Sequence, residues 1–460
     1  MDDNTIFSLS SGGSKAGVAV IRVSGVQARD AVEALAGSVP APRLAALRAL
    51  TDPDNGEVLD RGLVLWFPAP GSFTGEDVVE FQVHGGRAVV SAVLGALGKI
   101  PGLRTAEPGE FTRRAFDHGK LDLTEVEGLA DLVNSETENQ RRQALWQLEG
   151  ALGALYESWR SGLLGALAHL EADLEFPDDE LGDEERSVLR IKASKIARQI
   201  DIEIADHLND QHRGERMRDG VYVAILGAPN VGKSSLLNAL ARRDAAIVSD
   251  TAGTTRDVIE VALDLGGNPV ILADTAGLRE FPEGALEREG MLRTRKRAAQ
   301  ADLKVVLCEA SGWPEINKQT SVLIDETTYV VANKIDCAAN FIGTLEESPN
   351  AKGARGLWAL SATTGEGIEE FLEALTLGVG ALLSAGATPS LTRHRHREAL
   401  EKCRSHLGRF GSISMGTKID ATELAAEDLR LATRAIGRIT GRVDVEDLLD
   451  VVFADFCIGK

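Results

Sequence analysis

Four cysteines in 460 residues (Cys308, Cys337, Cys403 and Cys457) are too few and too scattered for a disulfide framework or a Cys-x-x-Cys metal site. Their scarcity fits a reducing compartment, and a cytoplasmic location is expected. The first residues lack a basic stretch followed by an apolar run, so no secretory signal is expected. No apolar stretch approaches the roughly 20 residues of a membrane span, so none is expected. Basic residues are also scarce: 50 Lys and Arg stand against 70 Asp and Glu, leaving a net charge of −20. A chain that grips nucleic acid over a broad face usually shows the opposite balance. Any RNA contact then needs a local patch or a partner protein. Two local basic runs exist, at 293–297 and 393–397, and each reads as a solvated helix face. The 43% hydrophobic and 26% charged content is that of globular material, and the length implies two or three domains.

The texture changes along the chain. Residues 1–120 alternate strand-like runs with Gly and Pro turns, as in an α+β domain. Strands are expected at 17–23 and 77–83; in the second, Val79, Phe81 and Val83 face one side and Glu80, Gln82 and His84 the other. Residues 121–215 read as helical. Leu145, Leu148, Leu152, Leu155, Trp159 and Leu163 form one apolar helix stripe, broken at Phe176-Pro177. A second helical run carries Val188, Ile191, Ile196 and Ile200. Residues 216–384 alternate short strands (221–226, 270–273, 303–307, 328–332) with helical stretches, a doubly wound α/β pattern. Residues 385–460 return to helix. The economical organisation is an α/β domain inserted into a helical one.

The α/β segment carries the chemistry. Gly227-Ala228-Pro229-Asn230-Val231-Gly232-Lys233-Ser234 fits G-x-x-x-x-G-K-S between a strand and a helix that begins near Ser235. Such a loop aims backbone N–H groups at phosphate oxygens, while Lys233 adds positive charge and Ser234 a hydroxyl for Mg²⁺. Asp274-Thr275-Ala276-Gly277 follows a strand; its carboxylate can hold Mg²⁺ through water and its Gly can sense the γ-phosphate. Asn333-Lys334-Ile335-Asp336 follows another. Asp336 can accept hydrogen bonds from guanine N1–H and the exocyclic amine, and adenine offers neither. A buried carboxylate left unpaired is costly, so this position selects GTP over ATP. Ser361-Ala362-Thr363 resembles the backbone contact to guanine O6. These elements in this order point to GTP.

Between the first two motifs lies Ser249-Asp250-Thr251-Ala252-Gly253-Thr254-Thr255-Arg256-Asp257, a switch segment by position, with Thr255 the expected second hydroxyl on Mg²⁺. Leu278 stands where Ras-like enzymes place the Gln that orients the attacking water, so catalysis must draw on another group. Asn230 and the oxygen-rich 249–255 loop could bind a monovalent cation there.

Several further segments carry a family resemblance: Phe73-Thr74-Gly75-Glu76-Asp77, Pro108-Gly109-Glu110-Phe111-Thr112-Arg113-Arg114, Gly253-Thr254-Thr255-Arg256-Asp257, and the terminal Cys457-Ile458-Gly459-Lys460. Along essentially its whole length the chain resembles the MnmE (TrmE) family of tRNA-modifying GTPases. The resemblance implies an N-terminal α+β folate-binding and dimerisation domain, an α-helical bundle, and an inserted Ras-like α/β P-loop GTPase domain. It implies a K⁺-dependent GTPase with K⁺ held by Asn230, Ser249, Thr251 and Thr254. Glu287 would position the water, with Glu283 and Glu289 as alternatives. It implies that 5-formyl- or 5,10-methylene-tetrahydrofolate meets Arg22, Glu80, Lys120 and Lys460. A homodimer would join the flavoprotein MnmG (GidA), carrying FAD, in a heterotetramer that modifies C5 of the wobble uridine, with tRNA held mainly by the partner. Cys457 has no base beside it in sequence and reads as readily as a buried residue of a docking tail as a nucleophile. The alternative function is a regulatory GTPase switch in ribosome assembly or stress response, without modification chemistry.

Overall fold

The structure is a computed structural model. It describes residues 4–175, 182–242, 260–274, 295–338, 351–384, 389–413, 419–443, 449, 452, 453, 456 and 459. The chain forms two compact units, one of residues 1–130, 146–201 and 399–460, the other of residues 131–145 and 202–398.

The first unit contains a six-stranded sheet of β1 (Thr5–Leu9), β2 (Val18–Ser24), β3 (Ala46–Thr51), β4 (Val58–Phe67), β5 (Val78–His84) and β6 (Leu103–Thr105), in the order β3-β4-β5-β2-β1-β6. All pairings are antiparallel except β1 with β6. The alternation expected in β5 holds: Val79, Phe81 and Val83 are buried, and Glu80 and Gln82 lie on the other face. Helices α1 (Ala28–Ala36) and α2 (Arg87–Leu97) cover the apolar face, meeting Ile21, Val23, Phe81 and Trp66 in one core. Burying side chains of this size contributes roughly 1.5–3 kcal/mol each, which offsets the cost of ordering the sheet.

Helices α3 (Glu110–Asp117), α4 (Leu123–Val133), α5 (Glu138–Leu148), α6 (Ala151–Glu175) and α7 (Asp183–Leu208) follow. The stripe read as one helix is two. Gly150, at φ +85, ends α5, and Leu145 stands 36% exposed. The buried row belongs to α6 and runs through Leu152, Tyr156, Trp159, Leu163 and Leu170. In α7 Ile200 is buried as expected, but two of the other expected apolar positions are not. Val188 and Ile191 are exposed, whereas Ala193, Ala197, Ile200 and Ile204 are buried. Small residues permit the close approach here, and periodicity scored on large side chains overlooked them. At the α6–α7 connection Arg186 and Arg190 both pair with the buried Asp173, at 3.3 and 2.7 Å.

The second unit holds α8 (Arg213–Asp219), β7 (Val221–Gly227), α9 (Lys233–Ala241), β8 (Glu260–Leu265), β9 (Asn268–Asp274), β10 (Leu303–Glu309), α10 (Lys318–Ser321), β11 (Thr328–Asn333), β12 (Gly356–Ala359) and α11 (Ile368–Leu383). Its sheet runs β12-β11-β10-β7-β9-β8, parallel throughout except for β8. Apolar clusters lie on both faces of the sheet, as a doubly wound fold requires. The β8–β9 hairpin was not anticipated. Gly266 and Gly267 turn it with φ of +63 and +85, the left-handed pair that a two-residue hairpin favours. Its tip meets α5: the Asn139 amide donates to the Gly267 carbonyl at 3.1 Å, and Asn139 Nδ2 to Asn268 Oδ1 at 2.8 Å.

Two helices complete the chain, α12 (His394–Ser412) and α13 (Ile419–Thr440), the latter packed against α6. The run at 393–397 is not a solvated face. His396 and Arg397 are buried, Arg397 donates to Asp210 at 2.7 Å, and Arg393 pairs with Asp131 at 2.7 Å. Successive helix residues point about 100° apart, so a contiguous run is divided among several faces. In the other run, Arg295 and Lys296 are exposed.

Candidate guanine-nucleotide site

The loop 227–232 leaves β7 and enters α9 in the conformation its sequence demands. Gly227, Asn230 and Gly232 have φ of +152, +64 and +96. A Cβ at Gly232 would stand 2.3 Å from Asn333 Nδ2, so glycine is required by contact as well as by backbone angle. Lys233 is buried, and its Nζ donates to the carbonyls of Gly227 and Ala228 at 3.0 and 2.9 Å. Ser234 and Ser235 occupy the first turn of α9, with Ser235 exposed, while Val231 is packed inward. Asp274 ends β9 opposite Ile225 of β7, which places it beside the start of the loop.

Asn333 joins three loops. From the end of β11 its Nδ2 donates to the Val231 carbonyl at 2.8 Å, and its Oδ1 accepts from the Ala362 amide at 3.0 Å. It is 1% exposed, so both bonds form away from water, where losing either leaves a costly orphan. Next, Lys334 adopts φ +66 and pairs with Glu309 at the end of β10. That turn throws Asp336 outward. Asp336 is exposed, which corrects the expectation of a buried carboxylate: the protein's own side chains leave the group open to solvent. Hydrogen bonds from the Ser361 hydroxyl, then from the Cys337 thiol, hold its carboxyl below the usual carboxylate range. Ser361 Oγ also accepts from the amides of Thr363 and Thr364 at 3.3 and 3.1 Å. The carboxylate and the Ala362 amide are thus gathered at the rim that Asn333 organises.

Ser249, Asp250, Thr251, Ala252, Gly253, Thr254 and Thr255 lie outside the described residues, as do Thr275, Ala276, Gly277 and Glu287. Glu309, Cys337 and Asn139 were missed by sequence reading. Glu309 had one usable signal, its place at a strand's carboxyl end; the others had none.

The N-terminal residues expected to meet a folate come together in part. β2–β5 register sets Arg22 opposite Glu80, and the two form an ion pair at 2.8 Å with side chains 21% and 18% exposed. Half-buried and paired, they are not the surface strand residues that strand alternation alone suggests. The Arg22 guanidinium lies 5.6 and 5.7 Å from the ring centres of Phe73 and Phe111. Lys120 Nζ donates to the Pro70 carbonyl at 3.0 Å, so Arg22 and Lys120 border the same loop, 68–77. In the same unit Glu110 is gripped by Arg104 and Arg114. Burial alone would raise its carboxyl, but the Arg104 hydrogen bond, with the Glu107 amide and Arg114, holds it below the ordinary value. Lys460 and Cys457 lie outside the described residues. The tail before Lys460 is docked on this unit: Phe453 and Phe456 pack with Leu123 and Val126, and Ser10 Oγ donates to the Gly459 carbonyl at 2.8 Å.

A P-loop at a strand–helix junction, a buried Asn bridging it to the base loop, and an outward carboxylate define a guanine-nucleotide-binding P-loop protein. Residues 5–120 match the family described as GTP-binding protein TrmE N-terminus, and residues 123–457 match the MnmE helical domain. A protein of Parvibaculum lavamentivorans named tRNA modification GTPase MnmE is 55% identical, over 99% of this chain and 100% of its own length. One of the same name from Rhodospirillum rubrum is 51% identical over 100% of both chains. A Danio rerio protein named 5-taurinomethyluridine-[tRNA] synthase subunit GTPB3, mitochondrial, is 48% identical over 100% of this chain and 93% of its own. The chain belongs to the MnmE family. Among the described residues no helix is long and apolar enough to cross a membrane.

Proposed function

We propose that this chain is a K⁺-dependent GTP hydrolase that, with a flavoprotein of the MnmG (GidA) kind, installs an aminomethyl-type group at C5 of the tRNA wobble uridine, using a tetrahydrofolate one-carbon donor. The observation that carries the nucleotide half is the Asn333 bridge. It fixes the phosphate loop and the base-reading rim to one strand end, so one bound nucleotide spans both. Family membership over the whole chain supports the tRNA half.

In this reading Asp336 takes the guanine N1–H and amine, the Ala362 amide exchanges its Asn333 Oδ1 acceptor for O6, and Lys233 exchanges its two loop carbonyls for phosphate oxygens. The Ser234 hydroxyl is a hard oxygen donor suited to Mg²⁺, Thr255 would supply the second hydroxyl, and the Asp274 carboxylate would hold the ion through water. Bound Mg²⁺ would offset developing phosphate charge. Asn230, with its left-handed backbone, heads the K⁺ set with Ser249, Thr251 and Thr254, and Glu287 orients the water. Arg22, Glu80, Lys120 and Lys460 meet the folate. The Arg22–Glu80 pair then presents a charged edge already neutralised within the protein, leaving Lys120 to meet the folate carboxylates. The chain acts in the cytoplasm as a homodimer with the flavoprotein.

The test is nucleoside analysis of tRNA from a strain lacking the chain, complemented with wild type or with Asp336→Asn. The wobble uridine should lose its C5 group in the deletion and regain it only with wild type. Full modification in the deletion strain contradicts the reading. Equal GTP turnover in K⁺ and Na⁺ would remove the Asn230 cation proposal alone.

A further inference from the structure

Neither the nucleotide site nor the folate residues account for the outer face of α13. Between Asp428 and Val443 the exposed positions are Arg430, Arg434, Arg438 and Arg442, all arginine and all four residues apart. Steps of four place side chains on one helix face, about 6 Å apart along the axis. Arg442 lies just past the helix end, where its amide donates to the Gly437 carbonyl at 2.9 Å and holds the chain against the last turn. A fifth arginine, Arg160 of α6, lies alongside: its Cδ is 3.8 Å from where a Cβ on Gly437 would stand.

The Arg430 and Arg442 pairs lie at the surface, and the Arg160–Glu157 pair is part-buried. Arg430 pairs with Glu171 and Glu427 at 3.1 Å each, and Glu157 is shared between Arg160 at 2.8 Å and Arg442 at 3.6 Å. Exposed pairs of this kind hold weakly and exchange readily for a stronger anion. An unbroken arginine face also runs against the average of a chain whose net charge is −20. The helix dipole favours a cation only in the last turn, so it does not explain Arg430 or Arg434.

We propose that this arginine face grips the phosphate backbone of an RNA. Guanidinium forks bind phosphate oxygens two at a time. Among the described residues from 428 to 443 no exposed apolar side chain interrupts the row, and beside it on α6 Leu164 stands 39% exposed, one leucine where a protein-binding face would need an apolar or aromatic centre. A row of about 18 Å is long enough to meet several phosphates of an RNA strand. Such contacts position an RNA without reading its sequence, and repulsion from the rest of the acidic surface confines it to this face. The inference rests on the reading that tRNA is the substrate, and it assigns to this chain a grip of its own.

The test uses the full-length chain and a labelled tRNA transcript, with binding measured across a KCl series. Substituting Arg434→Gln, Arg438→Gln and Arg442→Gln together should weaken binding at low salt at least tenfold. It should also make the slope of log K against log salt shallower by about two to three. GTP turnover should be unchanged, and Arg295→Gln with Lys296→Gln should leave the slope intact. If the triple variant does not fold, Arg438→Gln alone should lower the slope by about one. An unchanged slope overturns the proposal, as does wild type that binds no tRNA at any salt. Loss of flavoprotein association with RNA binding intact overturns it in favour of a protein interface. Wobble modification is scored separately by nucleoside analysis, so a failed grip and a failed modification reading are distinguishable.

Discussion

The nucleotide loops of the second unit and the Arg22–Glu80 strand pair of the first hold charged side chains in place in different ways. In the second unit every described motif leaves the carboxyl end of a parallel strand, and one buried side chain, Asn333, ties three loops together. In the first, placement comes from sheet register. Arg22 faces Glu80 because β2 pairs with β5, and two phenylalanine rings flank the guanidinium. A loop site fails when its bridge is cut. A register site fails by degrees, since the sheet persists without either charge.

The largest expected effect tests the outward carboxylate. Asp336→Asn should reduce GTP affinity by roughly 10²-fold or more, because an amide cannot accept both guanine donors. Xanthosine triphosphate, which carries an acceptor where guanine has its amine, should recover most of that loss in competition binding. Recovery by neither nucleotide would mean that Asp336 acts as a fold element, closing the contrast between the two sites.

Cutting the bridge comes next. Asn333→Ala removes two buried hydrogen bonds and orphans the Val231 carbonyl and the Ala362 amide, an expected loss of about 2–4 kcal/mol by denaturant titration. Nucleotide affinity should fall in step.

A comparable magnitude is expected from pH. His207, in the second unit, is pushed down to about 4, first by burial and then by the nearby His396, Arg397 and Arg213, against the opposing pull of Asp210. An ordinary histidine titrates near 6.5, so between those values the unfolded chain binds a proton that the native chain refuses. This contribution is intact above pH 6.5 and is lost as the pH falls towards 4, by about 3 kcal/mol in all. Unfolding measured against pH should show this decline, and His207→Leu should flatten it. An equal decline in the variant would assign the effect to other groups.

The smallest effect belongs to the strand pair. A double-mutant cycle of Arg22→Ala and Glu80→Ala should give a coupling of up to about 1 kcal/mol, as for other partly exposed pairs. A coupling as large as the Asn333 effect would erase the difference between a bridged loop site and a register site.

Legibility in the sequence followed the same divide. Contiguous motifs at strand ends disclosed the phosphate loop, Asp274, Asn333 and Asp336, because chain order and spatial order nearly coincide there. The β8–β9 hairpin escaped because short apolar runs beside a Gly-Gly turn look like the flank of a parallel strand. The helix break at Gly150 and the alanine face of α7 escaped because both rest on small residues, which weigh little in an apolar pattern. Basic runs misled in the opposite sense. The neighbours at 393–397 divide between surface and core, while arginines four apart make one face. The Arg22–Glu80 contact needed strand register, which no local window contains.

The most direct measurement joins the base-reading carboxylate to the modification. Asp336→Asn, combined with the flavoprotein, tRNA and the folate donor, would be supplied with GTP or with xanthosine triphosphate while wobble nucleosides are counted. Modification should follow xanthosine triphosphate and fail with GTP. Equal modification with either nucleotide, or with none, would contradict a GTP-driven role for this chain.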